Sequence, residues 1–171
     1  QTWNREHTWP NSKGTGESKT TAFREADIMM LRPASVSENS SRNNKAYGVS
    51  EGFFDPNSEN ENVNVRGDVA RIMLYSFVRW GSTEITETTK VDDTEVTTNK
   101  ILSDNMWGKD GVMESLEVLL DWAENDPVDT WEMARNDSVQ SITGTRNVFV
   151  DYPELVFELF EAEVPANYDT P

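Results

Sequence analysis

Between Gly67 and Trp80, apolar residues recur at helical intervals. Val69, Ile72, Met73, Phe77 and Trp80 make a stripe, and Leu74 and Val78 widen it. A face this broad predicts a central helix against which other elements pack. Three further helices are expected downstream. Val112, Met113, Leu116, Leu119, Leu120 and Ala123 follow Asp110-Gly111 at helical spacing. Asp126-Pro127-Val128-Asp129 predicts a helix start with Asp126 as N-cap and Pro127 in the first position, running to about Ile142 and stopping at Gly144. Tyr152-Pro153-Glu154 opens a last helix through Leu155, Val156, Leu159 and Phe160, and the tail after Pro165 is expected to fray.

The N-terminal third has a different character. Trp3 to Thr8 predicts a short strand, Pro10 to Ser18 a loop, and Ala26 to Leu31 a second strand interrupted by Pro33. A helix is expected from about Ser35 to Asn44, and Tyr47 to Asn64 reads as a long surface loop anchored by Phe53-Phe54. Gly81 to Lys100 alternates only partially. It is open between a hairpin and a loose excursion, with a solvated peripheral insertion favoured over a functional arm. The expectation is a single α+β domain over residues 1–171, mainly helical.

Size and composition agree. A chain of 171 residues buries a real core, and six Trp and seven Phe supply bulk. No apolar run approaches the roughly 20 residues of a membrane helix, so no membrane partner is expected. The chain opens inside the Trp3–His7 motif, which reads as an N-terminus truncated from something longer, with any export signal upstream. Without cysteine there are no disulfides or thiolate metal sites. The net charge of −16 argues against nucleic-acid binding when taken whole. The charge is uneven, however. Residues 1–48 hold seven Lys or Arg against five acids, and the remaining residues hold eight against 26.

The near-neutral third carries the chemistry. His7 is the only histidine, preceded by Glu6, in Asn4-Arg5-Glu6-His7-Thr8-Trp9-Pro10. Imidazole alone among unperturbed side chains titrates near neutral pH, so His7 is the candidate proton acceptor. A satisfied structural histidine is the bland alternative. Downstream come Arg24-Glu25-Ala26-Asp27-Ile28-Met29-Met30-Leu31-Arg32-Pro33 and Ser37-Glu38-Asn39-Ser40-Ser41-Arg42-Asn43-Asn44. In order, these resemble the patterns Asn-Arg-Glu-His-x-x-Pro, Asp-x-x-x-Leu-x-Pro and Asn-x-x-Arg-x-Asn of the bacterial endonuclease I family, which includes secreted ribonucleases. The resemblance continues through Arg66-Gly67-Asp68-Val69-Ala70-Arg71, Trp122 to Val128, and Ser141 to Glu154.

The resemblance implies a ββα-metal finger within the α+β domain, and a largely sequence-nonspecific endonuclease that hydrolyses DNA, RNA or both, leaving 5′-phosphate ends. It implies one divalent ion, Mg²⁺ with Mn²⁺ or Ca²⁺ as alternatives, held by Glu6 and Asn39. A hard ion of this kind keeps several waters, so two protein ligands suffice. His7 would act as general base. Glu25 matches an acidic position near the family's site, where orienting His7, holding a metal-bound water and pairing with an arginine all stay open. Arg32 and Arg24 are candidate phosphate grips on charge and sequence proximity, and Arg5 joins them within the first motif. Arg42 and Asn43 are open between phosphate contact and local capping with an ion pair. Arg146 and Asn147 sit in a Gly-x-x-Asn turn that the family places towards its site, open between substrate contact and pure architecture. A nucleic-acid substrate, a monomeric state and secretion complete the expectation. One departure stands out. Met29 occupies a position where many relatives carry histidine, which puts an apolar wall in place of a polar group. Together with the acidity, it favours the alternative of a catalytically impaired, nuclease-derived binding or structural domain. An acidic Ca²⁺-binding protein is a third reading, without an EF-hand loop to support it.

Overall fold

In the computed structural model, residues 2–14, 27–58, 62–166 and 168 are described. The expectations for Ser18 at the end of the loop and for Arg24, Glu25 and Ala26 lie outside them. The described residues form an α+β domain with two small antiparallel sheets and six α-helices.

Strands β1 (Trp3–His7) and β2 (Leu31–Ser35) pair antiparallel, setting Glu6 opposite Arg32 and His7 opposite Leu31. Helix α1 (Val36–Arg42) follows β2 without a linker. Ser35 serves as last strand residue and N-cap: its Oγ accepts from the Glu38 amide at 3.1 Å while the Glu38 carboxylate accepts from the Ser35 amide. The order strand, strand, helix thus matches expectation, but the second strand begins later. Asp27 accepts from the Met29 amide at 3.1 Å and winds Ile28–Met30 into a 3-10 turn instead of a strand. Pro33 stays inside β2 because a two-stranded sheet leaves outward-facing ladder positions where no N–H is needed.

The predicted central helix is α2 (Arg66–Trp80), which buries Val69, Ala70, Ile72, Met73, Leu74 and Tyr75. Val78 does not widen this face; it is 55% exposed. Helix α3 (Leu116–Asn125) lies along α2 and buries Leu119, Trp122 and Ala123. It starts at its Ser115 cap, later than periodicity suggested. Val112 and Met113 are buried outside any helix, in a bend and a β-bridge respectively, bonded through their amides to the Met106 carbonyl. Helix α4 (Thr130–Thr143) ends at Gly144 as expected, with φ +74°. Its N-cap is Asp129, which accepts from the Glu132 amide at 2.7 Å. Asp126 is unavailable for that duty because its Oδ2 accepts from the Gly67 amide at 2.7 Å, holding the N-terminus of α2. Two four-residue helices, α5 (Val148–Asp151) and α6 (Leu155–Glu158), finish the domain.

Gly81–Lys100 resolves as a hairpin. Strands β3 (Glu84–Val91) and β4 (Thr94–Ile101) pair through a turn at Asp92-Asp93, both with positive φ. Ile85 is buried, Lys100 is half-buried, and the other described side chains of the two strands are exposed. No helix among the described residues is long and apolar enough to cross a membrane.

Charged residues tie the N-terminal motif to α2. Asp68 pairs with Arg32 at 2.5 Å, and Arg71, fully buried, pairs with Glu132 through bonds of 2.6 to 3.0 Å. Asp27 accepts from the Tyr75 hydroxyl at 2.9 Å and the Trp80 indole at 3.0 Å. From α4, Arg135 donates to the carbonyls of Ile28, Met29 and Leu31 at 2.8 to 3.0 Å. These bonds fix where β2 begins and leave its Glu6-facing side towards a cavity.

Candidate active site

Successive strand residues point to opposite faces, which should separate Glu6 from His7. Both nevertheless border one shallow cleft of about 160 Å³, because the cleft wraps the C-terminal end of β1. Asn39, presented by α1, borders it too, with Arg5, Arg42 and Asn43. The candidate ligands and base therefore converge. Asn43 closes α1 with φ +52°, a backbone conformation that non-glycine residues adopt infrequently.

Arg42 explains how Glu6 and His7 are held. Its side chain is buried, lies over the Tyr47 ring at 4.5 Å, and pairs with the Glu6 carboxylate. The same guanidinium donates to the His7 carbonyl at 2.9 Å, the Thr8 carbonyl at 2.8 Å and the Lys45 carbonyl at 3.1 Å. One α1 side chain thereby fixes Glu6 and His7 at the end of β1 and Thr8 just after it. A planar fork with five donors suits this task, and an ammonium does not. Of the two roles left open for Arg42, this placement fits the internal ion pair.

Burial pushes the Glu6 carboxyl above its ordinary 4.5; Arg42 pulls it back, and nearby Glu38 adds to the rise. Glu6 is 8% exposed. It is a carboxylate that favours a compensating positive charge beyond the one Arg42 supplies.

A second cavity, about 210 Å³, opens on the other side of Glu6 and Asn39. Arg32 and Glu38 border it with an apolar wall that includes Phe54, Val65 and Val69. Arg32 is held by Asp68 and lies over the Trp131 ring at 4.9 Å, so it reaches the Glu6 edge from a fixed position. It borders this cavity and not the His7 cleft.

The remaining expected residues fall elsewhere. Arg146 borders neither cavity and is neutralised by Asp151 at 2.5 Å and Asp137 at 2.7 Å. Asn147 is fully buried: it caps α5 through the Phe149 amide and donates to the Arg71 carbonyl at 3.1 Å. Its place is architectural, the alternative left open for this turn. Met29 is 1% exposed within the hydrophobic core, with its sulfur 3.3 Å from an Arg135 nitrogen, and borders neither cavity. Sequence reasoning overlooked Glu38 and the apolar wall. The Ser35-x-x-Glu38 spacing was a readable capping box, and it placed Glu38 on the turn of α1 next to Asn39.

Comparison with known proteins identifies the family. The family model for Endonuclease I matches residues 53–154. The chain is 35% identical over 167 residues to an extracellular ribonuclease of Bacillus amyloliquefaciens, and 34% identical over 168 residues to one of Bacillus subtilis strain 168. Each match covers 92% of this chain, and the chain spans 54% of either relative's length. The chain belongs to the endonuclease I family.

Proposed function

We propose that this chain is the hydrolytic core of a divalent-metal-dependent, largely sequence-nonspecific endonuclease acting on RNA, DNA or both. The observation that carries the reading is the convergence of Glu6, His7 and Asn39 on one cleft at the junction of β1 and α1. The order β1, β2, α1 supports reading this junction as a ββα-metal finger.

The donor set fits a hard cation. Glu6 and Asn39 offer oxygen atoms on a shared wall, and no group of three or more His, Cys, Asp or Glu suited to a metal occurs among the described residues. An ion that keeps most of its water shell needs no more than these two ligands. When bound, Mg²⁺ or a similar ion supplies charge neutralisation for the phosphoryl oxygens and the leaving 3′ oxygen. His7, neutral, takes the proton from the attacking water. Arg42 is a positioning residue, holding the Glu6 carboxylate and the backbone of His7. Arg5 and Asn43, which border the cleft, and Arg32 on the neighbouring cavity would contact phosphate. The relatives' names suggest export and an RNA substrate for this chain as well.

The buried Met29 and the net charge of −16 favour the competing reading, a nuclease-derived domain without catalysis. Incubation with plasmid DNA and with total RNA separates the two. The nuclease reading expects cleavage with Mg²⁺, Mn²⁺ or Ca²⁺ and none in excess EDTA. Absence of cleavage under every condition leaves the non-catalytic reading.

A further inference from the structure

Trp131 stands in the first turn of α4, 47% exposed and outside the hydrophobic core. Folding therefore leaves unused much of a ring that usually supplies a large buried area. Its position is nevertheless fixed. Arg135, four residues on, donates to the Ile28, Met29 and Leu31 carbonyls and holds this end of α4 against the start of β2. Arg32, the next residue of β2, lays its guanidinium over the indole at 4.9 Å, while Asp68 accepts from its Nη1. Arg32 also stands opposite Glu6 in the β1–β2 ladder. Directly paired side chains start about 5 Å apart on one face of a sheet. Trp131 is thus one side chain removed from the proposed metal ligand, in the order Glu6, Arg32, Trp131.

We infer that Trp131 is a stacking platform for a nucleobase flanking the scissile phosphate, with Arg32 gripping the backbone between them. The inference rests on the nuclease reading of the Glu6–His7–Asn39 cleft. The chemistry of the pair indicates the occupant. The half-exposed indole offers a flat apolar surface, and the arginine over it adds a fixed positive charge. A nucleotide brings both complements, a planar base for the ring and a phosphate for the guanidinium. Every base has a π-face, so such a platform binds without choosing sequence, in keeping with a nonspecific nuclease. It needs a base splayed out of its stack, so it serves single strands and not the interior of a duplex.

Steady-state cleavage at saturating Mg²⁺ of one sequence, offered as a single strand and as a duplex, tests this with the parent and three variants. Loss of one base–aromatic stack weakens binding by roughly 5- to 150-fold. Trp131→Ala should raise KM for the single strand by that order, with kcat and the duplex KM near the parent's values. Trp131→Leu, which keeps apolar bulk beneath Arg32 without a π-face, should lose as much. Trp131→Phe keeps a π-face and should recover most of the loss. The residue lies outside the core, so the unfolding midpoints should stay close to the parent's. Fluorescence anisotropy of labelled adenine and thymine homopolymers in EDTA reads binding without turnover, and Trp131→Ala should weaken both. An unchanged single-strand KM in folded Trp131→Ala would overturn the platform and leave the nuclease reading standing. Equal losses on single strand and duplex, or a phenylalanine variant as weak as alanine, would also overturn it. Single-strand binding that depends on Trp131, with no cleavage by the parent in any metal, would support the platform and remove the nuclease reading.

Discussion

Replacing Arg42 by alanine should disable this domain through stability as much as through chemistry. The guanidinium pairs with Glu6 and satisfies the carbonyls of His7, Thr8 and Lys45. Both partners are buried, with side chains 3% and 11% exposed, so solvent screens their attraction little. Removing one member of a buried ion pair typically costs about 3–5 kcal/mol, because the survivor keeps its desolvation penalty. Against a domain stability of about 5–15 kcal/mol, that is about a fifth or more of the total. With a urea slope of about 2 kcal/mol per molar, the unfolding midpoint should fall by about 1.5–2.5 M. Tryptophan fluorescence reports the transition. Adding Glu6→Gln to Arg42→Ala removes the orphaned carboxylate and should restore about 1–3 kcal/mol. A midpoint within about 0.3 M of the parent for Arg42→Ala would refute the anchoring role. So would a double variant no more stable than the single one.

Other outcomes follow from the same structure. Asn39→Ala should raise the metal concentration for half-maximal activity by about tenfold or more, by comparison with the 10–100-fold losses caused by outer-shell changes, while the unfolding midpoint moves little. An unchanged metal titration would remove Asn39 from the ligand set. Gly67→Ala would place a Cβ 2.0 Å from the Asp126 carbonyl oxygen, so thermal unfolding should show a loss of about 1–3 kcal/mol or more; a parent-like Tm would contradict this contact. Burial raises the Asp126 carboxyl above its ordinary 3.8, so the folded chain holds that proton more tightly than the unfolded chain does. This group's contribution therefore falls as pH rises from about 3.8 upward. Asp126→Asn keeps an acceptor for the Gly67 amide and removes the titration, so its Tm relative to the parent should rise across that interval; a pH-independent difference would count against it.

What was legible in the sequence was periodicity and motif; what was not was the competition between local partners. The stripe from Val69 to Trp80 announced α2 because a buried helix needs apolar residues at that interval. Asp126 looked like an N-cap because Pro127 follows it, yet the Gly67 amide, 59 positions away in sequence, claims its carboxylate. Ile28–Met30 looked like a strand by composition, and a single Asp27 side-chain bond turned it. Glu6, His7 and Asn39 were readable through resemblance, but their shared cleft depends on how α1 abuts β1. Arg42 was visible in the motif while its role was not. Whether an arginine grips phosphate or a neighbouring strand is decided by burial, which spacing alone does not carry.

The central claim is that the Glu6–His7–Asn39 cleft hydrolyses phosphodiesters with His7 as base. His7→Ala, shown to be folded and assayed at saturating divalent metal, tests it most directly. General-base catalysis contributes about 10²–10⁴-fold, so the account predicts a rate loss of that order, with the acid limb of the parent's pH–rate profile absent from the residual activity. Turnover by the folded variant at the parent's rate, with the acid limb intact, would contradict it.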